Sequence, residues 1–387
     1  MTPLPREQFP ITERFAYFDH AGISPIPRVA VEATNRWAER MMTKGKADYD
    51  ELETMVEDTR ARVAQLMGVP TDDVAYTRNT THGVALVANG LDLRPGERVV
   101  IPAADFQSLA FPWIALRDRD VVVDVAEPAN PDRGVTVDDF ARAIAAGPRP
   151  TVVAASWVHF ARGWRIDLAA LARVAHDAGA LFCADIIQGL GVLPAQLAAW
   201  DVDFAAADSQ KWLLGPEGMG LLYVAERLRD RLRPLEPGWA SVRNRYDYDR
   251  LDLDWDDTAR RYEGGAYNMA GTAALQASLR IIADTGVDSI WHHVDSLCDH
   301  LVNELDRTPG AHVRSDRTTD VRSGIVNFSI DRIDNAQFCE RLLSRGIMCA
   351  PRGGGVRVAP HAYNTETEID ALVAAAADEQ DRQAERH

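Results

Sequence analysis

Between residues 73 and 208 the chain alternates short apolar, β-branched runs with helical stretches, and that rhythm narrows its folds sharply. The runs fall at 73–77, 98–101, 121–125, 151–156, 181–185 and 204–206. Helical patterns separate them at 81–88, about 108–117, 137–145 and 168–178. Strands apolar on both faces belong inside a sheet covered on both sides, and regular alternation with helices gives parallel order. The expectation is therefore an α/β protein with a mainly parallel, doubly wound sheet. In such sheets ligands gather at the carboxyl ends of the strands.

The flanks read differently. Residues 1–14 look irregular, 15–19 form a short strand, and 28–67 are helical with a break at Lys44-Gly45-Lys46. Within those helices Val29, Val31, Trp37, Met41, Leu52, Val56, Val63 and Leu66 are the expected buried positions. Residues 238–262 are charged, aromatic-rich and irregular. Helices at 268–283, 288–306 and 335–345, strands at 324–330 and 355–359, and a last helix from Thr365 suggest a smaller α+β unit. Thr365 with Glu368 three residues on is a capping-box pattern. The expected division is an arm (1–20), a large domain (21–262) and a small C-terminal domain (263–387). The first helices are free to pack against the small domain.

Composition removes several function classes. A formal net charge of −16 argues against nucleic acid, whose phosphates need a basic face. No apolar run reaches membrane-spanning length, and Met1-Thr2-Pro3-Leu4-Pro5 carries no apolar signal core. Four scattered cysteines, without a CxxC, fit a reducing cytoplasm and offer no metal framework. No G-x-G-x-x-G opens a helix, which disfavours a nicotinamide enzyme.

The polar residues that end apolar strands carry the chemistry. Lys211 follows the run 204–206 through Asp208-Ser209-Gln210 and precedes Trp212-Leu213-Leu214. Such neighbours desolvate an amine and lower its pKa, and a neutral lysine forms a Schiff base with a carbonyl such as that of pyridoxal phosphate. A snorkelling lysine at a strand end is the plainer alternative. Pyridoxal phosphate chemistry also needs a carboxylate to keep the ring nitrogen protonated. Asp185, at the end of Leu181-Phe182-Cys183-Ala184, is either that carboxylate or a capping aspartate. Gln188 can donate to a ring oxygen or be a loop residue. Asn79-Thr80-Thr81 opens a helix, where free N–H groups and hydroxyls suit a phosphate; Thr80 or Thr81 can equally be a plain cap. Phe106 can stack on a ring or serve the core. Arg357, in Val356-Arg357-Val358, calls for a carboxylate partner, from a substrate or from a structural Asp or Glu.

Taken together, these segments resemble the class V aminotransferase family of fold-type I pyridoxal-phosphate enzymes, which includes cysteine desulfurases and isopenicillin-N-epimerase-like proteins. Asp185-Ile186-Ile187-Gln188 with Gly189 is similar to the family's D-x-x-Q motif. Lys211-Trp212-Leu213-Leu214-Gly215-Pro216-Glu217-Gly218 is similar to K-W-L-x-G-P-x-G, and Arg261-Tyr262-Glu263-Gly264-Gly265 to R-F-E-x-G. The resemblance runs from Tyr17-Phe18-Asp19-His20-Ala21 to Tyr363-Asn364-Thr365. It implies a mainly parallel seven-stranded sheet, pyridoxal phosphate as cofactor, and an α-amino acid as substrate. Lys211 becomes the cofactor lysine and Cα acid–base, and Asp185, Gln188, Phe106, Thr80, Thr81, Asp208 and Gln210 the cofactor contacts. Arg357 holds the substrate carboxylate, with His159, Arg162 and Arg352 as candidates for reading its side chain. A homodimer is implied, with Asn268 near a phosphate contact that crosses subunits.

The chain also departs from that pattern. Gln210 replaces a histidine, Asp208 a phosphate-binding serine, Ala266 a threonine and Phe160 an asparagine. Desulfurases carry a nucleophilic cysteine on a loop before the arginine. The corresponding region here, Met348-Cys349-Ala350-Pro351-Arg352, is short, and Cys349 reads as packed. The weight moves to aminotransferase or lyase (β-elimination) chemistry. Decarboxylation, oxidative deamination, epimerisation and a non-catalytic protein that keeps the fold remain as alternatives.

Overall fold

Strong burial on both faces makes the central sheet what it is. In the computed structural model, which describes residues 2–130 and 133–384, a short strand β1 (Ala16–Tyr17) leads into helices α1 (Arg28–Lys44) and α2 (Tyr49–Met67). The alternating region then follows: β2 (Val74–Thr77), α3 (Thr80–Gly90), β3 (Arg98–Pro102), α4 (Gln107–Ile114), β4 (Val122–Ala126), α5 (Val137–Ala145), β5 (Val152–Ser156), α6 (Leu168–Asp177), β6 (Leu181–Asp185), β7 (Phe204–Asp208) and β8 (Gly220–Val224). The C-terminal part comprises α7 (Met269–Thr285), α8 (Val287–Leu305), β9 (Ala311–Val313), β10 (Val326–Ile330), α9 (Asn335–Ser344), β11 (Ile347–Met348), β12 (Ala350–Arg352), β13 (Gly355–Val358) and α10 (Glu366–Ala384).

Seven strands form the main sheet in the order β2-β8-β7-β6-β5-β3-β4. From β7 to β4 all neighbours are parallel; β8 is antiparallel to both β7 and β2. The expected mainly parallel, seven-stranded α/β sheet is thus present. Every residue of β3, β6, β7 and β8 is buried, which is why these runs read as continuously apolar rather than alternating. A second, antiparallel sheet has the order β12-β13-β10-β9.

The N-terminal segment belongs to the C-terminal part as much as to the large sheet. Strand β1 pairs in parallel with β11, and Asp19 bridges to Ala359. Ser24 then fastens this segment to the Lys211 turn: its N–H donates to the Gln210 carbonyl at 2.7 Å and its hydroxyl to the Lys211 carbonyl at 2.5 Å. Strands β9, β11 and β12 escape sequence reading because they are two or three residues long.

Of the expected helical core positions, Leu52, Val56 and Val63 are buried, while Val29, Trp37, Met41 and Leu66 are half-buried. Val31 is exposed instead, as are Ile23 and Ile26 earlier in the chain. The Thr365–Glu368 capping box forms as expected, with the Thr365 N–H donating to the Glu368 carboxylate at 2.8 Å. Among the described residues no helix is long and apolar enough to cross a membrane.

Candidate active site

At the carboxyl ends of β6 and β7 lies a cleft of about 430 Å³ that gathers Thr80, Thr81, Phe106, Asp185, Gln188, Asp208, Gln210, Lys211, Arg352 and Arg357. The sequence separates these residues by up to 277 positions; the parallel sheet and the turn of β13 bring them together. Three expected site residues stand outside it. His159 and Arg162 line a neighbouring cavity, and Asn268 lines another on the far side of Gly218.

Asp185 ends β6 with its side chain buried, Oδ1 accepting the Ile187 N–H at 3.0 Å. Burial pushes this carboxyl up to about 7, against the pull of that bond and of Lys211. Lys211 is also buried. Desolvation pulls its amine down to about 8, the Asp185 charge opposes that, and Arg357 adds to it. Nζ stands 5.5 Å from the centroid of the Phe106 ring. The turn is built for close placement: Leu214 takes a left-handed backbone (φ 57°), and its N–H returns to the Lys211 carbonyl at 3.0 Å. Gln188 is held at both ends of its amide. Its oxygen accepts from the Trp212 indole at 3.1 Å and its nitrogen donates to the Ala21 carbonyl at 2.9 Å, leaving one amide hydrogen to give.

The helix start beside the cleft resolves an ambiguity of the sequence. The cap of α3 is Asn79, whose Oδ1 accepts the His82 N–H at 2.9 Å. Thr80 is therefore released from capping, and its hydroxyl is buried without a partner. Thr81 donates to Ser108 at 2.8 Å. Across the cleft, Asp208 accepts the Ser209 N–H at 2.7 Å, and the Gln210 amide nitrogen, in the orientation that satisfies both groups, donates to the Asp208 oxygens at 3.1 and 3.2 Å. Burial pushes the Asp208 carboxyl up to about 6.

Arg357 has the carboxylate partner its burial demanded, and that partner is Asp19 at 2.7 Å. Nη1 donates to the Phe160 carbonyl at 2.8 Å, and Nε is buried without a partner. Sequence reasoning assigned Asp19 no role, although it ends an apolar run as Asp185 does; that shared position was the available signal. Phe160, Ile187 and Ser108 also line the cleft. Phe160 packs tilted against Phe106 at 5.1 Å between ring centroids. Asn268 caps α7, accepting the Gly271 N–H at 3.0 Å. Cys349 lies off the cleft lining, and burial raises its thiol well above the usual range, which makes a thiolate unfavourable.

These groups fit pyridoxal phosphate on their own chemistry. The buried, unpartnered Thr80 hydroxyl beside a helix N-terminus suits an anion. A buried carboxylate at Asp185 calls for a cation, which a protonated ring nitrogen supplies. A desolvated amine at Lys211 suits a carbonyl.

Residues 16–372 match the family model for aminotransferase class-V. The chain belongs to the class V aminotransferase family. A probable cysteine desulfurase of Methanothermobacter thermautotrophicus is 29% identical over 95% of both chains. The cysteine desulfurase CsdA of Escherichia coli is 28% identical, again over 95% of both, and its solved structure superposes with a TM-score of 0.85 over 98% of this chain and 97% of that one. The apo structure of a cysteine desulfurase from Thermococcus onnurineus NA1, at 22% identity and a TM-score of 0.86, covers 97% of this chain and 98% of its own and shares the fold. The family is one of pyridoxal-phosphate enzymes of fold type I, and the mainly parallel sheet agrees with it.

Proposed function

We propose that this chain is a pyridoxal-phosphate enzyme that removes the Cα proton of an α-amino acid and completes transamination or β-elimination. The meeting of Lys211, Asp185 and Arg357 in one cleft carries this reading. When bound, the cofactor supplies an electron sink for the carbanion left at Cα. Asp185 would hold the proton on the ring nitrogen, and Gln188 would give its remaining amide hydrogen to a ring oxygen. Phe106 would cover the ring, and Thr80, Thr81 and Gln210 would take the phosphate. Arg357 fixes the substrate carboxylate, which orients Cα–H toward the Lys211 amine that accepts and returns the proton. His159 and Arg352 stand at the border of the substrate space.

The half-buried Cys349 thiol, off the cleft lining and held protonated by desolvation, supports proton-transfer and elimination chemistry over persulfide formation on the protein. Exposed Ile23, which lines the cleft, and exposed Ile26 and Val31 further along the same segment support a homodimer that completes the site. Within it, Asn268 would lie near the shared phosphate end. Four unpaired cysteines support a cytoplasmic location.

The test is reconstitution with pyridoxal phosphate. A visible absorption band should appear, and borohydride should attach the cofactor to Lys211. With a panel of amino acids, an oxo acid without free ammonia means transamination, and an oxo acid with ammonia means β-elimination. Failure to bind the cofactor, or its attachment at another residue, rejects the reading.

A further inference from the structure

Strands β3 and β5 lie side by side but part early. Their register ends at Val100↔Val153, while β3 stays paired with β4 to Pro102↔Ala126 and β5 with β6 to Ser156↔Asp185. The chain leaves them in opposite directions, β3 toward β4 and β5 toward β6, so strand order reverses here. Open α/β sheets take ligands in the crevice at such a point. In this protein the crevice is a cavity of about 420 Å³, separate from the Lys211 cleft.

Its walls are mainly apolar, with Ala103, Val135, Phe140, Ala155, Trp164 and Ile166 among them. Several polar groups in the lining are already committed. The Ser156 hydroxyl donates to Asp105 at 2.8 Å, and His159 Nε2 lies 3.1 Å from the Ala104 carbonyl. Arg162 lays its guanidinium over the Trp164 ring and donates to the Gly353 carbonyl.

The cavity and the cleft share a wall. Phe160 lines both, and Phe106 and Arg352 on the cleft side adjoin Asp105 and Gly353 on the other. The Phe160 carbonyl is also the group that accepts from Arg357. A carboxylate on Arg357 is thus held next to the residue that fronts the apolar space. A cysteine or alanine side chain is too short to use that space.

We propose that the substrate is an α-amino acid with a bulky apolar side chain, aromatic or large aliphatic, which passes Phe160 and fills the crevice between β3 and β5. This rests on the amino-acid reading of the cleft. Hydrophobic pockets of this kind discriminate by about 10–200-fold per methylene-sized difference when well filled.

The experiment compares phenylalanine, tryptophan, leucine, alanine and cysteine on the holoenzyme, with a 2-oxo acid supplied as amino acceptor, by kcat/KM and by calorimetric binding. The large side chains should exceed alanine and cysteine by at least about 30-fold. Val135→Trp, which fills the cavity away from the cleft, should cost phenylalanine about tenfold or more and leave alanine within about twofold. Ala103→Leu is a second, smaller filler should the first fail to fold, judged by retention of the cofactor band. Equal or better handling of alanine and cysteine by the wild type overturns the proposal. So does a filled variant that holds cofactor and loses no preference. A holoenzyme that carries cofactor on Lys211 yet accepts none of the five rejects the cleft reading, and this proposal with it.

Discussion

The two ends of the cleft are built on different terms. At the end marked by Asp185, each group has one task and a fixed support: a carboxylate on the last residue of a buried strand, a glutamine held at both ends, a lysine on a pinned turn. At the end marked by Thr80, the groups are exchangeable donors. One hydroxyl is unpartnered, another is tied to Ser108, and an amide leans on a carboxylate that no anion would welcome. A reacting ring needs a charge at one atom. A phosphate accepts any sufficient set of hydrogen bonds. The chain keeps its family's pattern where the chemistry allows one solution and drifts where it allows several.

That contrast can be broken most severely at the first end. Lys211→Ala should lower turnover by about 10³-fold while cofactor still binds through its other contacts, measured by steady-state rates and equilibrium dialysis. In the wild-type apoprotein, capture of cofactor by the neutral amine should speed up about tenfold per pH unit on the approach to pH 8 and level off above it, as stopped-flow absorbance would show. A rate still climbing about tenfold per pH unit beyond pH 9 would contradict the depressed amine.

Asp185→Asn should cost about 10² in turnover, and it tests a second property of the same residue. Its folded pKa is raised, so its favourable contribution is complete below the unfolded carboxylate value and is lost as pH rises through about 7. The Asp185→Asn apoprotein should therefore melt several degrees above wild type at pH 8, with the gap closing toward pH 4. A variant less stable at both pH values would show that the carboxylate is supported rather than strained.

At the other end the effects should be smaller, and one should have the opposite sign. Asp208→Ser removes a like charge and should tighten cofactor about tenfold at pH 8, measured by fluorescence titration. The benefit should shrink below pH 6, where the wild-type carboxyl takes up its proton. Thr80→Val should loosen cofactor by about fivefold, the worth of one hydrogen bond. If Asp208→Ser weakened binding, the Asp208–Gln210 pair would be a cofactor-holding unit, and the two ends would be equally constrained.

The sequence disclosed the fold wherever burial leaves a period or a run. Strands β3, β6, β7 and β8 announce themselves because both faces are apolar; β11 and β12 are too short to hold any pattern. Lys211, Asp185 and Gln188 were visible because polar residues at the ends of such runs are costly without a purpose. The Asp19–Arg357 pair joins residues 338 positions apart; the end of an apolar run marks Asp19 as it marks Asp185, but nothing local says which cation it meets. The release of Thr80 depended on whether Asn79 or a threonine took the cap, a choice settled by side-chain geometry. Val31 misled because an apolar residue at helical spacing looks the same whether its own chain covers it or not.

Asp19 on Arg357 has a consequence for how ligands enter. A carboxylate arriving there does not land on a bare cation; it must share or take over a guanidinium that already has a resident anion. Of the ligand's attraction to Arg357, only the excess over Asp19 counts toward its affinity, while the arginine stays posed between turnovers with no strand or loop needing to re-form around it. On the proposed reading of the cleft, Asp19 would work as an internal competitor, setting a threshold that weak or misdirected anions would not pass.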